Sequence, residues 1–245
     1  MLSRRARVVL FAAYLGGLLG LTAVAGEVIV RLNQWWPWTN PDPHVTVAPG
    51  QRLFDRDEHL GYRHLPGRFD VTLADGHRFH MTHLPSSLRA THPLETYTAT
   101  TAKPEIWVLG CSFTHGWALD DEDTYPWVLQ TKLPSYEVVN YGVSGYGTVH
   151  SLVQLEDALA HGQRPRAVVL AYASFHDPRN TFLRQRRKEV APWNRLGPVQ
   201  QPVAELAADG RLTLTMSDVT YTELPLMRVS ALANFLEVKL NKLEE

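Results

Sequence analysis

The chain has little cysteine and no excess of charge of either sign. A single cysteine in 245 residues excludes an intramolecular disulfide framework and a zinc site built from cysteines. The 24 lysines and arginines nearly balance the 25 acidic residues, and the net charge of −1 gives no bulk attraction to polyanions. We therefore predict that the protein has no nucleic-acid partner.

The amino-terminal segment carries the longest apolar stretch. Three arginines within residues 4–7 precede an uncharged run over residues 8–26, which is long enough to cross a bilayer. The arginines predict a cytoplasmic tip, with the remainder on the far side of the membrane and the tryptophans of 35–38 in the outer aromatic belt. The alternative is a signal peptide cleaved near Ala23-Val24-Ala25, which would give a secreted or periplasmic protein.

Composition divides the chain into three parts. Residues 1–32 are predicted to form the cytoplasmic tip and transmembrane anchor, or the signal peptide. Residues 33–103 are rich in proline, histidine and threonine without a helical period, and we predict a juxtamembrane segment with a small β-rich extension. Residues 104–245 are predicted to form an α/β domain that is incomplete at its carboxyl end.

The third part alternates strand and helix patterns. In order, these are a strand at 106–110, a helix ending near 133, a strand at 137–141, a helix at 148–160 and a strand at 166–172. This order predicts a parallel sheet in a three-layer α/β/α sandwich of flavodoxin-like style. Farther along we expect an excursion at 181–200, a strand at 211–216 and a helix at 226–243.

The junction after the first strand carries a hydroxyl and a thiol between two glycines, Gly110 and Gly116. Open α/β sheets bind their ligands at the carboxyl ends of the strands, so Ser112 can be an exposed nucleophile. The alternative is a serine that only caps the following helix. We expect Cys111 to pack inward behind the strand.

Two further turns, 142–147 and 175–177, open on the same sheet edge because their strands run parallel to the first. Acyl transfer needs a nucleophile, hydrogen-bond donors for the developing oxyanion, and a base. The N–H groups of Ser112 and Gly145 can be the first two donors. A polar side chain from the third turn can be another.

These three turns together resemble the SGNH hydrolase superfamily, also called the GDSL esterase/lipase group. The segment 110–116 is similar to the first family block. Cys111 stands where the commoner form of the block has aspartate, and membrane-anchored bacterial members often carry cysteine at this position. The segments 140–145 and 175–177 resemble the second and third blocks. The resemblance covers residues 106–180 well and the amino-terminal part loosely.

The resemblance implies a set of site residues. Ser112 would be the nucleophile, and the oxyanion hole would consist of Ser112, Gly145 and His176. In the third block His176 replaces the usual asparagine, and a neutral imidazole N–H can still donate one hydrogen bond. Asn140 and Asp177 would support the turns, and we expect Asp177 to bind backbone N–H groups of its own turn.

The family's catalytic base belongs to a carboxyl-terminal Asp-x-x-His block, and no histidine follows His176. In order of preference, the sequence is a fragment, the base comes from elsewhere, or the hydrolase chemistry is lost. His150, at the start of the second helix, is a substitute candidate for the base.

The resemblance therefore implies a membrane-anchored, outward-facing serine hydrolase of the esterase or acyl-transfer type. Its substrates would be acyl or acetyl esters of a small molecule, a lipid or a polysaccharide, and it would need no metal and no cofactor. The alternative is a non-catalytic or degenerate SGNH-fold envelope protein that serves as a glycan-binding or assembly module.

His77, His80 and His83 lie close together in the sequence and raise the question of a metal site. Strand alternation places His80 on the opposite face from His77 and His83, so we predict a scattered set and no metal site. His115 follows Ser112 too closely in the same turn to be an obvious base, and we expect a surface or turn histidine.

Two charged clusters are also interpreted structurally. The basic cluster over residues 184–188 is predicted to be a solvated face or a loop. The acidic run over 120–123 lacks the spacing and the glycine of an EF-hand, and it suits the positive end of a helix dipole. We therefore predict that it starts a helix.

Overall fold

The computed structural model describes residues 3–39, 44–97, 103–197 and 199–241. In these ranges the α-helices are α1 Arg4–Leu32, α2 Ser112–His115, α3 Tyr125–Lys132, α4 Thr148–Ala160, α5 Asp177–Thr181, α6 Arg184–Val190 and α7 Ala231–Asn241. The strands are β1 Thr46–Ala48, β2 Phe54–Asp57, β3 Gly61–His64, β4 Gly67–Thr72, β5 Arg78–His83, β6 Glu105–Leu109, β7 Glu137–Asn140, β8 Ala167–Leu170, β9 Gln200–Leu206 and β10 Leu212–Asp218.

A three-stranded parallel sheet of order β7-β6-β8 lies behind the candidate site. Trp107 in the central strand pairs with Val139 on one side and with Val168 on the other. Helix α3 connects β6 to β7 and helix α4 connects β7 to β8, so both connections are helical crossovers. The α/β class with parallel strands is confirmed, while the three-layer sandwich stays a prediction.

Burial explains why β6 is the central strand. Trp107, Val108 and Leu109 are all at most 2 % exposed. This agrees with the apolar run that predicted a strand covered on both faces. The side chains of β8 at the sheet edge are, in contrast, all exposed.

The predicted β-rich extension contains five short strands. Strands β1, β4 and β5 form an antiparallel sheet, and β2 and β3 form a hairpin. The turn over residues 74–76 connects β4 and β5, and the Asp75 carboxylate accepts a hydrogen bond from the N–H of His77 at 2.9 Å. Arg89 makes isolated bridges to His83 and to Asn140, so it joins the antiparallel sheet to the end of β7.

The described residues of 1–41 and 222–245 form one compact unit, and those of 42–221 form another. In the first unit α1 is long and apolar enough to span a membrane or to be a signal sequence. Glu27 of α1 accepts hydrogen bonds from the N–H groups of Ala231 and Leu232, both at 2.9 Å. A carboxylate at this position satisfies N–H groups that a helix start leaves without intrahelical partners.

Candidate active site

Ser112 is the first residue of α2, immediately after the turn that leaves β6. Cys111 occupies the N-cap position and is 2 % exposed, so the thiol packs inward as expected. A Cβ atom at Gly110 would overlap the hydroxyl of Thr114, so only glycine fits there. The helix-capping role for Ser112 is not seen, because Ser112 lies inside the helix.

Gly145 of the second turn has φ +93°, a conformation that favours glycine. A Cβ atom there would overlap the hydroxyl of Tyr62, which donates a hydrogen bond to the carbonyl oxygen of Ser144 at 2.7 Å. The backbone of this turn is therefore fixed by a tyrosine from β3.

Asn140 connects the second turn to the first. Its side-chain amide donates to the carbonyl oxygen of Thr114 at 3.0 Å and its side-chain oxygen accepts from the N–H of Gly142 at 2.9 Å. The residue is 1 % exposed, so both bonds are shielded from water. Asn140 thus holds the first and second turns together, and its supporting role in a catalytic site stays a prediction.

Ser112 and Gly145 line one cavity of about 200 Å³. Its apolar wall consists of Phe54, Tyr62, Trp117, Val190, Trp193 and Val199. Its polar lining consists of Ser112, Ser144, Gly145, Arg179, Arg186 and Gln201. Tertiary packing thus brings the first and second predicted blocks to a shared space.

The third turn does not place its predicted residue, His176, at the cavity. His176 is 1 % exposed but is not among the residues that line the cavity, and burial lowers the pKa of its imidazole. Its Nδ1 accepts a long hydrogen bond of 3.4 Å from the N–H of Ala173, and its Nε2 has no partner among the described residues. Arg179, three residues along, lines the cavity instead. The role of His176 as an oxyanion donor stays a prediction.

Asp177 also has a partner that the sequence did not indicate. Its two carboxylate oxygens accept the hydroxyl hydrogen of Tyr172, at 2.9 and 3.1 Å. The carboxylate therefore ties the end of the third strand to the start of α5 through a side chain, whereas we expected backbone N–H groups.

His150, the substitute candidate for the base, is fully buried in the first turn of α4. Its Nδ1 accepts from the N–H of Gly147 at 3.2 Å, and its ring stacks on Tyr146 at 4.0 Å. Burial, with smaller contributions from Arg186 and Arg179, lowers the pKa of His150 to about 3. It does not line the cavity, and its contacts are those of a neutral structural histidine.

His115 is the last residue of the short helix α2 and is fully buried, so the surface alternative of its prediction is wrong. It belongs to a cluster with His64 and His83 in which one ring nitrogen of each lies within 4.8 Å of the others. The Nε2 atoms of His83 and His115 are 2.9 Å apart, and the His64 ring stacks on both rings at 4.2–4.3 Å. His77 and His80 lie elsewhere, hydrogen-bonded to the Ala118 carbonyl and to Asp120.

Three imidazoles are a common donor set for transition metals, so we tested whether this cluster fits an ion. The His64 ring is within 20° of parallel to each of its neighbours, whereas an imidazole donates its lone pair in the ring plane. An ion in the plane of one ring would therefore lie outside the plane of the ring stacked on it. The buried guanidinium of Arg89 also opposes a second cation beside it. The cluster fits a stack of neutral imidazoles better than a metal centre.

Arg89, which the sequence did not single out, secures the far end of α2. Its buried guanidinium pairs with Asp121 at 3.0 Å and donates to the carbonyl oxygens of His115 and Gly116 at 2.9 and 2.6 Å. Asp121 itself lies in a 3-10 turn over 121–123, and α3 begins only at Tyr125. The acidic run thus precedes the helix and supplies one buried partner for Arg89.

The basic cluster over 184–188 is not uniformly solvated. The side chain of Arg186 is 12 % exposed and lines the cavity, and Lys188 is buried as well. The prediction of a solvated face is therefore wrong for these two residues. Arg186 donates to the Gly145 carbonyl of the second turn, and the Lys188 ammonium lies 6.0 Å from the centroid of the Tyr221 ring. The local pattern does not reveal this packing.

No protein-family model matches the chain, and no curated protein matches it significantly. The resemblance to the SGNH hydrolases therefore rests on the three blocks, and what it implies about activity stays a prediction.

Proposed function

We propose that this protein is a serine hydrolase of the esterase or acyl-transfer type, built on an SGNH-like scaffold and anchored by α1 with residues 42–221 on the extracytoplasmic side. The observation that carries the proposal is the cavity shared by Ser112 and Gly145. The two residues follow neighbouring parallel strands, and both lie at the carboxyl-terminal edge where such sheets bind ligands.

In the proposed reaction the hydroxyl oxygen of Ser112 attacks an ester carbonyl, and the bond from that carbonyl carbon to the alcohol oxygen breaks. The alcohol leaves with the serine proton, and water or a second alcohol then cleaves the acyl-serine. The N–H groups of Ser112 and Gly145 stabilise the oxyanion, and His176 is the third candidate donor. The first N–H groups of a helix have no intrahelical acceptor, so the start of α2 leaves the Ser112 amide available. One oxyanion donor typically contributes about 3–4 kcal/mol to transition-state stabilisation.

One observation favours the second candidate function. Among the described residues that line the cavity there is no histidine, aspartate or glutamate to act as general base. A non-catalytic envelope module that binds a glycan or an assembly partner needs only the cavity and its polar lining. The same space supports both proposals, and they differ in whether Ser112 reacts.

Labelling with a fluorophosphonate probe, together with acetyl-ester hydrolysis, distinguishes them. For the enzyme we expect the wild type to be labelled and active and Ser112→Ala to lose both properties. Ser174→Ala is the matched control, because Ser174 is an exposed serine that does not line the cavity. A folded wild-type protein with neither labelling nor turnover would favour the binding module.

A further inference from the structure

The cavity beside Ser112 carries positive charge without a buried anion. Arg179 and Arg186 both line it, and no aspartate or glutamate is among the described lining residues. Burial lowers the pKa of Arg186, and the nearby charge of Arg179 lowers it further. Two guanidinium groups thus lie close together in a partly desolvated space, which is unfavourable unless an anion offsets them.

The hydrogen bonds of the two arginines include one anion, the half-exposed carboxylate of Glu189, which is not among the residues that line the cavity. Arg186 donates to the carbonyl oxygen of Gly145 at 3.3 Å and to the half-exposed carboxylate of Glu189 at 3.4 Å. Arg179 donates to the carbonyl oxygen of Tyr146 at 2.8 Å, and its guanidinium lies 4.5 Å from the centroid of the Phe175 ring. Neutral carbonyls and an aromatic face account for most of these contacts.

Several polar atoms of the cavity lining are buried and have no partner among the described residues. They are the Ser144 Oγ, the Arg186 Nε, and both amide atoms of Gln201. Gln201 is 1 % exposed, and buried amides are almost always hydrogen-bonded. These atoms can bind a polar group that enters the cavity, and three of them can donate hydrogen bonds.

We propose that this cavity binds a carboxylate-bearing group, so that the substrate of the proposed reaction is an ester that also carries a negative charge. The claim that the bound molecule is an ester rests on the proposed function. The claim that the cavity binds a carboxylate does not. Arginine matches a carboxylate because its planar N–H groups fit the two oxygens. Trp117 and Trp193, with ring centroids 5.9 Å apart, would contact the apolar body of the ligand.

Benzoate and benzamide form a matched pair of probes that differ in charge but hardly in shape. We would titrate each into the full chain in nanodiscs and follow tryptophan fluorescence, since Trp117 and Trp193 line the cavity. We expect benzoate to bind at least about tenfold more tightly than benzamide, as for a charge-assisted hydrogen bond. Ser112→Ala should keep this preference, because binding does not need the nucleophile.

Arg186→Gln should reduce the preference to about threefold or less, since it keeps a donor but removes the charge. Arg184→Gln on the same helix is the matched control, because Arg184 does not line the cavity. Arg179→Gln, on α5, tests the charge independently if Arg186→Gln fails to fold, which near-UV circular dichroism would reveal.

Equal affinities for benzoate and benzamide, or a preference that survives both Arg186→Gln and Arg179→Gln, would overturn the inference. Tighter binding of phenyl phosphate than of benzoate would overturn the assignment of a carboxylate. Failure of the esterase proposal gives a different result, because benzoate would then bind as expected while Ser112 remained unlabelled.

Discussion

At the scale of single residues, both the backbone conformation and the space around Gly145 exclude a side chain at that position. Its φ of +93° disfavours any side chain, and the hydroxyl of Tyr62 fills the place where a Cβ atom would lie. Tyr62 is itself buried, and its hydroxyl holds the carbonyl oxygen of Ser144. The orientation of the Gly145 N–H therefore depends on a side chain that is distant in sequence.

For this reason we expect Gly145→Ala to lower kcat of the proposed esterase by about 100- to 1,000-fold, the usual loss when one oxyanion donor is displaced. Gly162→Ala is the control, because Gly162 has φ +84° but nothing within 4 Å of a Cβ atom. Both variants carry the backbone strain of about 1–2 kcal/mol. Steady-state ester hydrolysis and thermal melting separate activity from stability, and equal losses of kcat in both variants would refute the role of Gly145.

Local sequence signals identified Ser112 and Gly145 but not Arg186. A turn bounded by glycines after an apolar strand can be predicted from a few consecutive residues. Arg186 instead belongs to a run of basic residues whose composition predicts solvent exposure. Only the packing of α6 against the second turn, with a hydrogen bond from Arg186 to Gly145, places that guanidinium at the cavity.

At the scale of elements, the imidazole cluster connects three parts of the fold. His64 ends β3, His83 ends β5 and His115 ends α2, the short helix that begins at Ser112. Burial lowers the pKa of all three, with that of His83 at about 3, and the positive charge of Arg89 lowers them further. The three rings are therefore neutral in the folded protein at neutral pH.

This neutrality predicts a loss of stability in acid. A histidine whose folded pKa lies below its unfolded value of 6.5 takes up a proton on unfolding, so the free energy of unfolding is highest above pH 6.5 and falls as the pH drops toward 3. Each such histidine contributes about 1.4 kcal/mol per pH unit in that window. Urea unfolding at pH 7, 6 and 5 measures the slope.

We expect His64→Phe to make that slope shallower by up to the contribution of one histidine. His161→Gln is the control, because the side chain of His161 is 73 % exposed. An unchanged slope in His64→Phe would show that the pKa of His64 is not lowered in the folded state.

The strands and helices of the central sheet were predictable because their signals are local. The apolar runs at β6, β7 and β8 fall within one or two residues of the predicted strands. Helix α7, predicted over 226–243, begins only at Ala231, where Ser230 caps the N–H of Ala233 and Glu27 accepts two further N–H groups. The contribution from Glu27 spans about two hundred residues and has no local signature.

At the scale of the whole molecule, the amino-terminal helix bears on location, because it is long and apolar enough to span a membrane or to be a signal sequence. The 29 residues of α1 expose most of their apolar side chains, which suits a lipid environment or a transient signal sequence. The proposed orientation depends on the arginines of residues 4–7, which would stay on the cytoplasmic side.

For an uncleaved anchor we expect the full-length chain to stay in the membrane fraction after an alkaline carbonate wash. Leu18→Arg places a charge in the middle of the run, at a cost of about 2.5–3.5 kcal/mol for insertion, and should release part of the protein. Leu214→Arg, on an exposed position of β10, is the control. A wild-type product that is soluble and shortened by about 25 residues would instead support signal-peptide cleavage.

The sequence by itself determined the elements whose signals are local: the apolar helix, the parallel strands and the glycine turns that carry Ser112 and Gly145. The spacing of apolar residues and the conformational freedom of glycine are properties of a few consecutive residues, so both can be recognised from the sequence alone. The tertiary structure alone decided which polar side chains share the cavity, because Arg186 and Gln201 reach it from segments far along the chain. It also decided that His115 is buried among imidazoles, since burial depends on what distant strands pack against a residue.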